Sequence, residues 1–208
     1  MEKEFSRDER AYENFGLYLF TMKLEETISS ILPASDAVLE AIGLEFHSVT
    51  LPRNELIFPM GSVAKHIFYI EKGLARMFYY NDAGKDITYE FFPEGNFATP
   101  SESFLEQKPS PYSIELLEDS DLRYVSQDGL NRLLDDFPEL EKIKSHILAH
   151  FLFQANRRIV ALQFQNAPQR YETLENTQGN IIQRAPLGHI ASYLGITQET
   201  LSRIRGRK

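Results

Sequence analysis

The sequence predicts an α+β chain in three successive parts, and three changes of texture along it carry that prediction. Up to about residue 44 apolar residues recur at helical spacing. From about Glu45 to Val125 short runs rich in Phe, Tyr, Ile and Val alternate with turn residues. After Ser126 helical spacing returns.

Taken in order, residues 18–31 read as a helix that breaks at Leu32-Pro33, and Ala34 to Gly43 as a second, shorter one. In the middle part the strand candidates are His66 to Ile70, Leu74 to Tyr80 and Ile87 to Phe92. They are punctuated by Pro52-Arg53-Asn54, Gly61, Gly73, Asn81-Asp82-Ala83-Gly84 and Pro93-Glu94-Gly95. Strands at such short, even spacing predict a sandwich or jelly-roll barrel rather than a βαβ sheet. Gln127 to Asp135 is a short helix. Pro138 then fits the first turn of a long one running to about Asn166, where Pro168 ends it. At 1.5 Å per residue that helix is a rod of about 42 Å. Its stripe Leu140, Ile143, Ile147, Phe151, Ala155, Ile159 and Leu162 needs a cover, either a second copy of itself or the chain's own β body.

The chain has 208 residues, 22 Lys and Arg against 30 Asp and Glu, and a net charge of -8. It has no cysteine, which excludes disulfides, thiolate zinc sites, cysteine-held iron-sulfur clusters and cysteine nucleophiles. The N-terminus is charged with mixed sign and is unlike a signal peptide. No run of about 18 apolar residues suggests a transmembrane helix, so a cytoplasmic location is expected. No GxSxG, P-loop or GxGxxG motif occurs, and an enzyme is not expected. His146 and His150 stand four apart on the long helix without a third ligand nearby, so no metal site is expected.

Charge is unevenly placed. From Ala167 to Lys208 six basic residues face three acidic ones, which leaves a -11 body and a +3 C-terminal segment. That segment contains Ala191, then Gly195 four residues later, then Leu201 and Ile204, with Ile190, Leu194 and Ile196 around them. A small residue at a helix crossing, a glycine at the turn and aliphatics facing back are the steric demands of a helix-turn-helix. Thr197 is the expected N-cap of the second helix. Gln198, Glu199, Ser202 and Arg203 are left on one exposed side, and they suit base edges: Arg203 for guanine O6 and N7, Glu199 for the cytosine amino group, Gln198 and Ser202 as versatile polar groups. Glu199 is spaced to orient Arg203, although an ordinary i,i+4 ion pair has the same spacing. Arg205, Arg207 and Lys208 are placed for phosphate, or simply make a charged end. Site residues expected for DNA are therefore Thr197, Gln198, Glu199, Ser202, Arg203, Arg205 and Arg207.

The β body with Gly61, Gly73 and Gly95 at its turns, the long helix, and the stretch Gln198-Glu199-Thr200-Leu201-Ser202-Arg203 together resemble the CRP/FNR superfamily of bacterial transcription regulators. The resemblance implies an extension over residues 1–22 and a cyclic-nucleotide-binding-like β-roll over 23–137 as sensory domain. It further implies a long dimerisation helix over 138–166 and an all-α helix-turn-helix domain over 167–208. The implied partners are double-stranded DNA, a second copy of the chain and, for activation, RNA polymerase. The family's β-hairpin wing has no counterpart before Lys208. Half-sites of a palindrome read by such a dimer lie about 34 Å apart.

The chain departs from the cyclic-AMP-binding members of that family. Where they carry Gly-Glu and Arg-Ser, an ungapped alignment from Gly95 places Thr99-Pro100 and Ser110-Pro111, with no carboxylate for the ribose and no guanidinium for the phosphate. Cyclic AMP is therefore not expected, and neither is any other cofactor. The adenine-facing positions fall near Ala155 and Asn156. Phe97, Thr99, Ser101, Ser103, Phe104, Ser110 and Tyr112 either line a small, mostly uncharged effector cavity or fill it. The competing function is a ligand-sensing or scaffold protein whose helix-turn-helix no longer reads DNA.

Overall fold

The computed structural model describes residues 23–206; the extension 1–22, Arg207 and Lys208 lie outside the described residues. Two helices open the described chain, α1 (Leu24–Ile31) and α2 (Asp36–Glu45). Ser35 caps the second by accepting from the Val38 N–H at 3.4 Å. Their buried faces, Leu24 and Ile28 with Val38 and Ile42, pack on the β body. The Arg123–Glu25 ion pair at 3.0 Å and the Thr27 hydroxyl against the Tyr69 hydroxyl at 2.5 Å tie α1 to it.

The β body is a sandwich of two four-stranded antiparallel sheets. Its strands are β1 (His47–Leu51), β2 (Leu56–Phe58), β3 (His66–Lys72), β4 (Ala75–Tyr80), β5 (Asp86–Phe92), β6 (Phe97–Ala98), β7 (Ser113–Leu116) and β8 (Ser120–Ser126). The sheet orders are β1-β8-β3-β6 and β2-β7-β4-β5. A short helix, α3 (Ser101–Glu106), lies between β6 and β7. Gly73 shows why its turn admits no side chain: its φ is +112°, and a Cβ there would run into Ser120. Apolar alternation toward the sandwich interior supplies the core, including Ile70, Ala75, Ile114, Leu116 and Leu122. One strongly polar residue is also buried. Arg76 of β4 is held by Asp86 at 2.5 Å, Glu115 at 2.6 Å and the Thr88 hydroxyl at 3.0 Å, so its charge is compensated on three sides.

Helix α4 (Gln127–Asp136) follows, capped by Ser126 through the Gly129 N–H at 3.0 Å. Pro138 opens a 3-10 turn, Pro138–Leu140, and only then does the long helix α5 (Glu141–Phe164) begin. Its 24 residues make a rod of about 36 Å, shorter at both ends than the sequence predicts. Pro168 also has a second role. It sits in the first turn of another helix, α6 (Ala167–Arg184), whose capping box pairs the Asn166 side chain with the Gln169 N–H at 3.1 Å and the Gln169 side chain with the Asn166 N–H at 2.9 Å. No helix of the described residues is long and apolar enough to cross a membrane.

The predicted stripe on α5 divides in two. Leu140 and Ile143 are buried, and Ile147 and Phe151 half-buried, against the chain's own helices and β body. The exposed large apolar residues of α5 are Leu148, Leu152, Phe153, Ile159, Val160, Leu162 and Phe164; among them Leu148, Leu152, Ile159 and Leu162 form one row with half-buried Ala155 between. These five positions alternate in steps of four and three, a heptad seam. A 3.6-residue period allows two adjacent stripes on one helix, and periodicity alone merges them.

Two short helices close the described chain, α7 (Leu187–Tyr193) and α8 (Gln198–Arg205). They share a core with the β body: Leu74, Phe91 and Leu117 join Tyr171, Leu174, Ile181, Ile190, Leu194 and Leu201 in one buried cluster. At its edge the Ser192 hydroxyl accepts from the Thr88 N–H at 3.1 Å and meets the Thr88 hydroxyl at 3.0 Å, while Tyr193 packs on Phe91 with ring centroids 5.2 Å apart.

Candidate nucleic-acid interface

The α7–α8 pair is built around three residues the sequence singles out. Ala191 is buried where the helices cross. Gly195 takes φ +66° in the turn, with its N–H donating to Ser192 O at 3.1 Å, while the next N–H, of Ile196, reaches Ala191 O at 3.0 Å. Leu201 is fully buried, and Ile196 and Ile204 pack against the same cluster. Thr197 caps α8 as predicted, accepting from the Thr200 N–H at 3.2 Å.

The outer face of α8 carries Gln198, Glu199, Ser202, Arg203 and Arg205, all exposed. Two details differ from expectation. The Gln198 amide folds back against Gly188 at the start of α7, where it would obstruct a Cβ. Arg203 leans on the Glu199 backbone carbonyl and the Thr200 hydroxyl, each at 3.4 Å, rather than on the Glu199 carboxylate. Glu199 is at the positive end of the helix instead. Its carboxyl is held below the usual range by its own backbone N–H and by the Thr197 hydroxyl, with the Arg203 charge a smaller cause. Arg203 is thus loosely held and solvent-facing, and Arg207 lies outside the described residues.

The residues expected to form an effector pocket do not converge on one site. Phe97, Thr99, Ser101 and Phe104 line a small apolar cavity of about 110 Å³ between the β body and helices α1, α2, α4 and α5. Within it the Thr99 hydroxyl donates to His66 O at 3.1 Å, and Phe97 packs on Tyr69. Ser103 accepts from the Ala64 N–H at 2.9 Å and donates to Lys108 O at 2.5 Å. Ser110 accepts from the Tyr112 N–H at 3.0 Å. Both serines therefore hold loops. Tyr112 belongs to an aromatic group with Tyr79 and Tyr89, and Asn156 is exposed on α5. His150 is half-buried beside Gln154 at 3.4 Å, and burial, then His146 and Arg157, push its imidazole down.

The anchoring of the pair has no counterpart in the sequence patterns. Arg184, at the end of α6, makes four charge-assisted hydrogen bonds, two to Glu94 at 2.7 and 2.8 Å and two to Glu118 at 2.6 and 2.9 Å. Arg158 of α5 lies over the Tyr193 ring at 4.1 Å. The Arg184 bonds span 66 and 90 positions of chain, and no local pattern announces them.

Residues 48–137 match the cyclic nucleotide-binding domain family. No curated protein matches by sequence. Among solved structures, FixK2 from Bradyrhizobium japonicum superposes with a TM-score of 0.68 at 18% identity, over 78% of this chain and 83% of that one. The c-di-GMP responsive global regulator CLP of Xanthomonas campestris gives 0.63 at 18% identity, over 83% and 91%. The Catabolite Activator Protein of Thermus thermophilus gives 0.55 at 19% identity, over 85% and 84%. The chain thus carries a cyclic nucleotide-binding-type domain over residues 48–137 and, across most of its length, has the fold of CRP/FNR-type regulators.

Proposed function

We propose that this chain is a sequence-specific DNA-binding transcription regulator of the CRP/FNR type, acting as a homodimer on a palindromic site without cyclic AMP as its effector. The observation that carries the reading is the face of α8: buried Ala191 and Leu201 at the crossing and the positive-φ turn at Gly195 fix the helix while Gln198, Glu199, Ser202 and Arg203 stay exposed together. In this reading α7 and α8 are the helix-turn-helix, and α8 enters the major groove. Thr197 and Arg205 contact the backbone, joined by Arg207 beyond the described residues.

The heptad seam Leu148, Leu152, Ala155, Ile159 and Leu162 supports the dimer, because large aliphatics at alternating spacing on an exposed helix face are what a second copy would bury. The charge division supports an oriented approach to DNA: the -11 body repels phosphate, and the +3 C-terminal segment does not.

The test is selection of bound genomic fragments followed by gel retardation at several salt concentrations. A palindromic consensus is expected, with affinity that falls steeply as salt rises. Arg203→Ala is expected to lower affinity by about 10- to 100-fold and to relax specificity at one base pair of each half-site. Unchanged binding in that variant would remove α8 as the reading helix, whereas no DNA retarded by the wild-type chain even at low salt would favour a ligand-sensing or scaffold role.

A further inference from the structure

A second, larger cavity of about 370 Å³ opens between α5, α6, α7 and the Pro93–Asn96 turn, with a lining distinct from that of the apolar cavity of the β body. That volume suits a small organic molecule. In a chain of net charge -8 its walls are strongly basic, with Arg157, Arg158 and Arg170 lining it. None of the three forms an ion pair with a carboxylate among the described residues. The acidic wall residue, Glu94, is already engaged by Arg184.

Two of the guanidiniums are fixed in place before any ligand arrives. Arg170 donates through Nε to Leu194 O at 2.9 Å and through Nη1 to Gln165 O at 2.5 Å. Arg158 is stacked on Tyr193, with only a 3.4 Å contact to Thr88 O. Arg157 is exposed at the mouth. Groups ordered in advance lose less entropy on binding; Arg170, whose partners are two carbonyls, keeps its charge uncompensated, while Arg158 also faces the Glu90 carboxyl and the Tyr193 hydroxyl.

Asn180 adds an independent indication. It lines the same cavity, and both its side-chain Nδ2 and Oδ1 are buried without a hydrogen-bond partner. Buried polar atoms are nearly always paired, so a fully unpaired amide facing a cavity points to a ligand with both a donor and an acceptor. It follows closely on the break in α6, where Gln178 leaves helical geometry at φ -145° and ψ 44°.

We propose that this cleft is a binding site for a small organic anion. Its phosphate or carboxylate lies among Arg157, Arg158 and Arg170, and a donor–acceptor edge pairs with Asn180. Such a ligand bridges α5 to α6 across the α6 break and so sets the angle at which α7 and α8 are held. That regulatory consequence rests on the DNA-binding reading; the binding itself does not.

The anionic half of the site is tested by calorimetric titration of the full chain with inorganic pyrophosphate. Saturable binding is expected with a Kd on the order of 1 mM or tighter, and no saturation up to about 10 mM overturns the proposal. Arg157→Gln is expected to weaken binding at least about tenfold, the loss of one charge-assisted contact. Equal affinity in that variant also overturns it. Asn180→Leu, of similar volume, is expected to leave pyrophosphate affinity unchanged, because that probe has no donor–acceptor edge, while raising the Tm by about 2–4 °C, because it removes the unpaired amide. A lowered Tm means that the amide already has partners and is not held for a ligand, which removes the edge-reading half. Arg203→Ala is expected to keep full pyrophosphate affinity while losing DNA, so failure of the cleft and failure of the DNA reading are separately visible.

Discussion

Arg184→Ala is expected to destabilise the chain by about 3–5 kcal/mol, because it removes the shared partner of two partly buried carboxylates. Glu94 is 11% exposed and Glu118 32%, and the guanidinium fork meets both at 2.6 to 2.9 Å. Burial acts to raise the Glu94 carboxyl, but hydrogen bonds from Arg184 and the Gly73 N–H hold it below the usual carboxylate value. With a depressed folded pKa, the Glu94 contribution is present above its unfolded value and is lost as pH falls through the folded one. Without Arg184 burial dominates, the Glu94 pKa rises, and the slope reverses: the variant loses stability as pH increases. Thermal unfolding across about pH 4 to 8 should therefore show a Tm roughly 10 °C lower, with a deficit relative to wild type that grows as pH rises. Arg184→Lys keeps the charge but not the fork, and an intermediate loss is expected. A loss below about 1 kcal/mol would mean that the α6 anchor contributes no more than a surface ion pair.

The consequence reaches the proposed interface because Arg184 is the last residue of α6, two positions before Pro186 and the start of α7. Beyond the buried cluster that Leu74, Phe91 and Leu117 share with α6, α7 and α8, the remaining local contacts are Ser192 with Thr88 and Tyr193 between Phe91 and Arg158. These contacts are single and small in area, so the double ion pair is the strongest polar link between α6 and the β body.

Much of the fold was legible in the sequence wherever local chemistry decides the outcome. Leu32-Pro33 breaks the N-terminal helices because the residue before proline is driven from helical geometry. Gly61, Gly73 and Gly95 all adopt positive φ at the predicted turns. Thr197 caps its helix and Leu201 is fully buried. The departures share a different cause. Pro168 has two structural meanings, the end of one helix and the first turn of the next, and only the capping pair Asn166 and Gln169 tells them apart. The α5 stripe merges residues that face the chain's own core with residues that face outward, because a helix serving two neighbours has two apolar bands about a quarter-turn apart. The residues expected to line an effector pocket were legible least. Ser103 and Ser110 have the polarity of ligand groups but are consumed by loop hydrogen bonds, and only three-dimensional pairing shows which polar groups remain free. For the same reason Arg157, Arg158, Arg170 and Asn180, drawn from two helices, carry no joint signal in the sequence.

Glu90→Gln is expected to stabilise the chain at about pH 8 by up to about 3 kcal/mol and to remove a pH dependence that the wild type shows. Glu90 lies on β5, on which α7 packs, and the charged and titratable groups facing it are Arg158 of α5 and Tyr193 of α7. Burial raises its carboxyl to about 7, with the Arg158 charge opposing only in part. The same environment pushes the Tyr193 hydroxyl up, first through burial and then through Glu90. Between its ordinary value of 4.5 and about 7 the unfolded chain gives up the Glu90 proton while the folded chain keeps it. Stability therefore declines as pH rises through that window and levels off above it. His66, His150 and His189 have lowered pKa values, chiefly from burial, and impose the opposite slope. The readout is consequently the difference between Glu90→Gln and wild type in chemical denaturation. That difference should be near zero at about pH 4.5 and grow to its full size by about pH 8. A constant difference across the range would mean that Glu90 titrates normally and is solvated at the α5–α7 junction. A growing one makes Glu90 a source of strain in the seat of α7 at neutral pH, because detaching the helix would hydrate the carboxylate and release its proton.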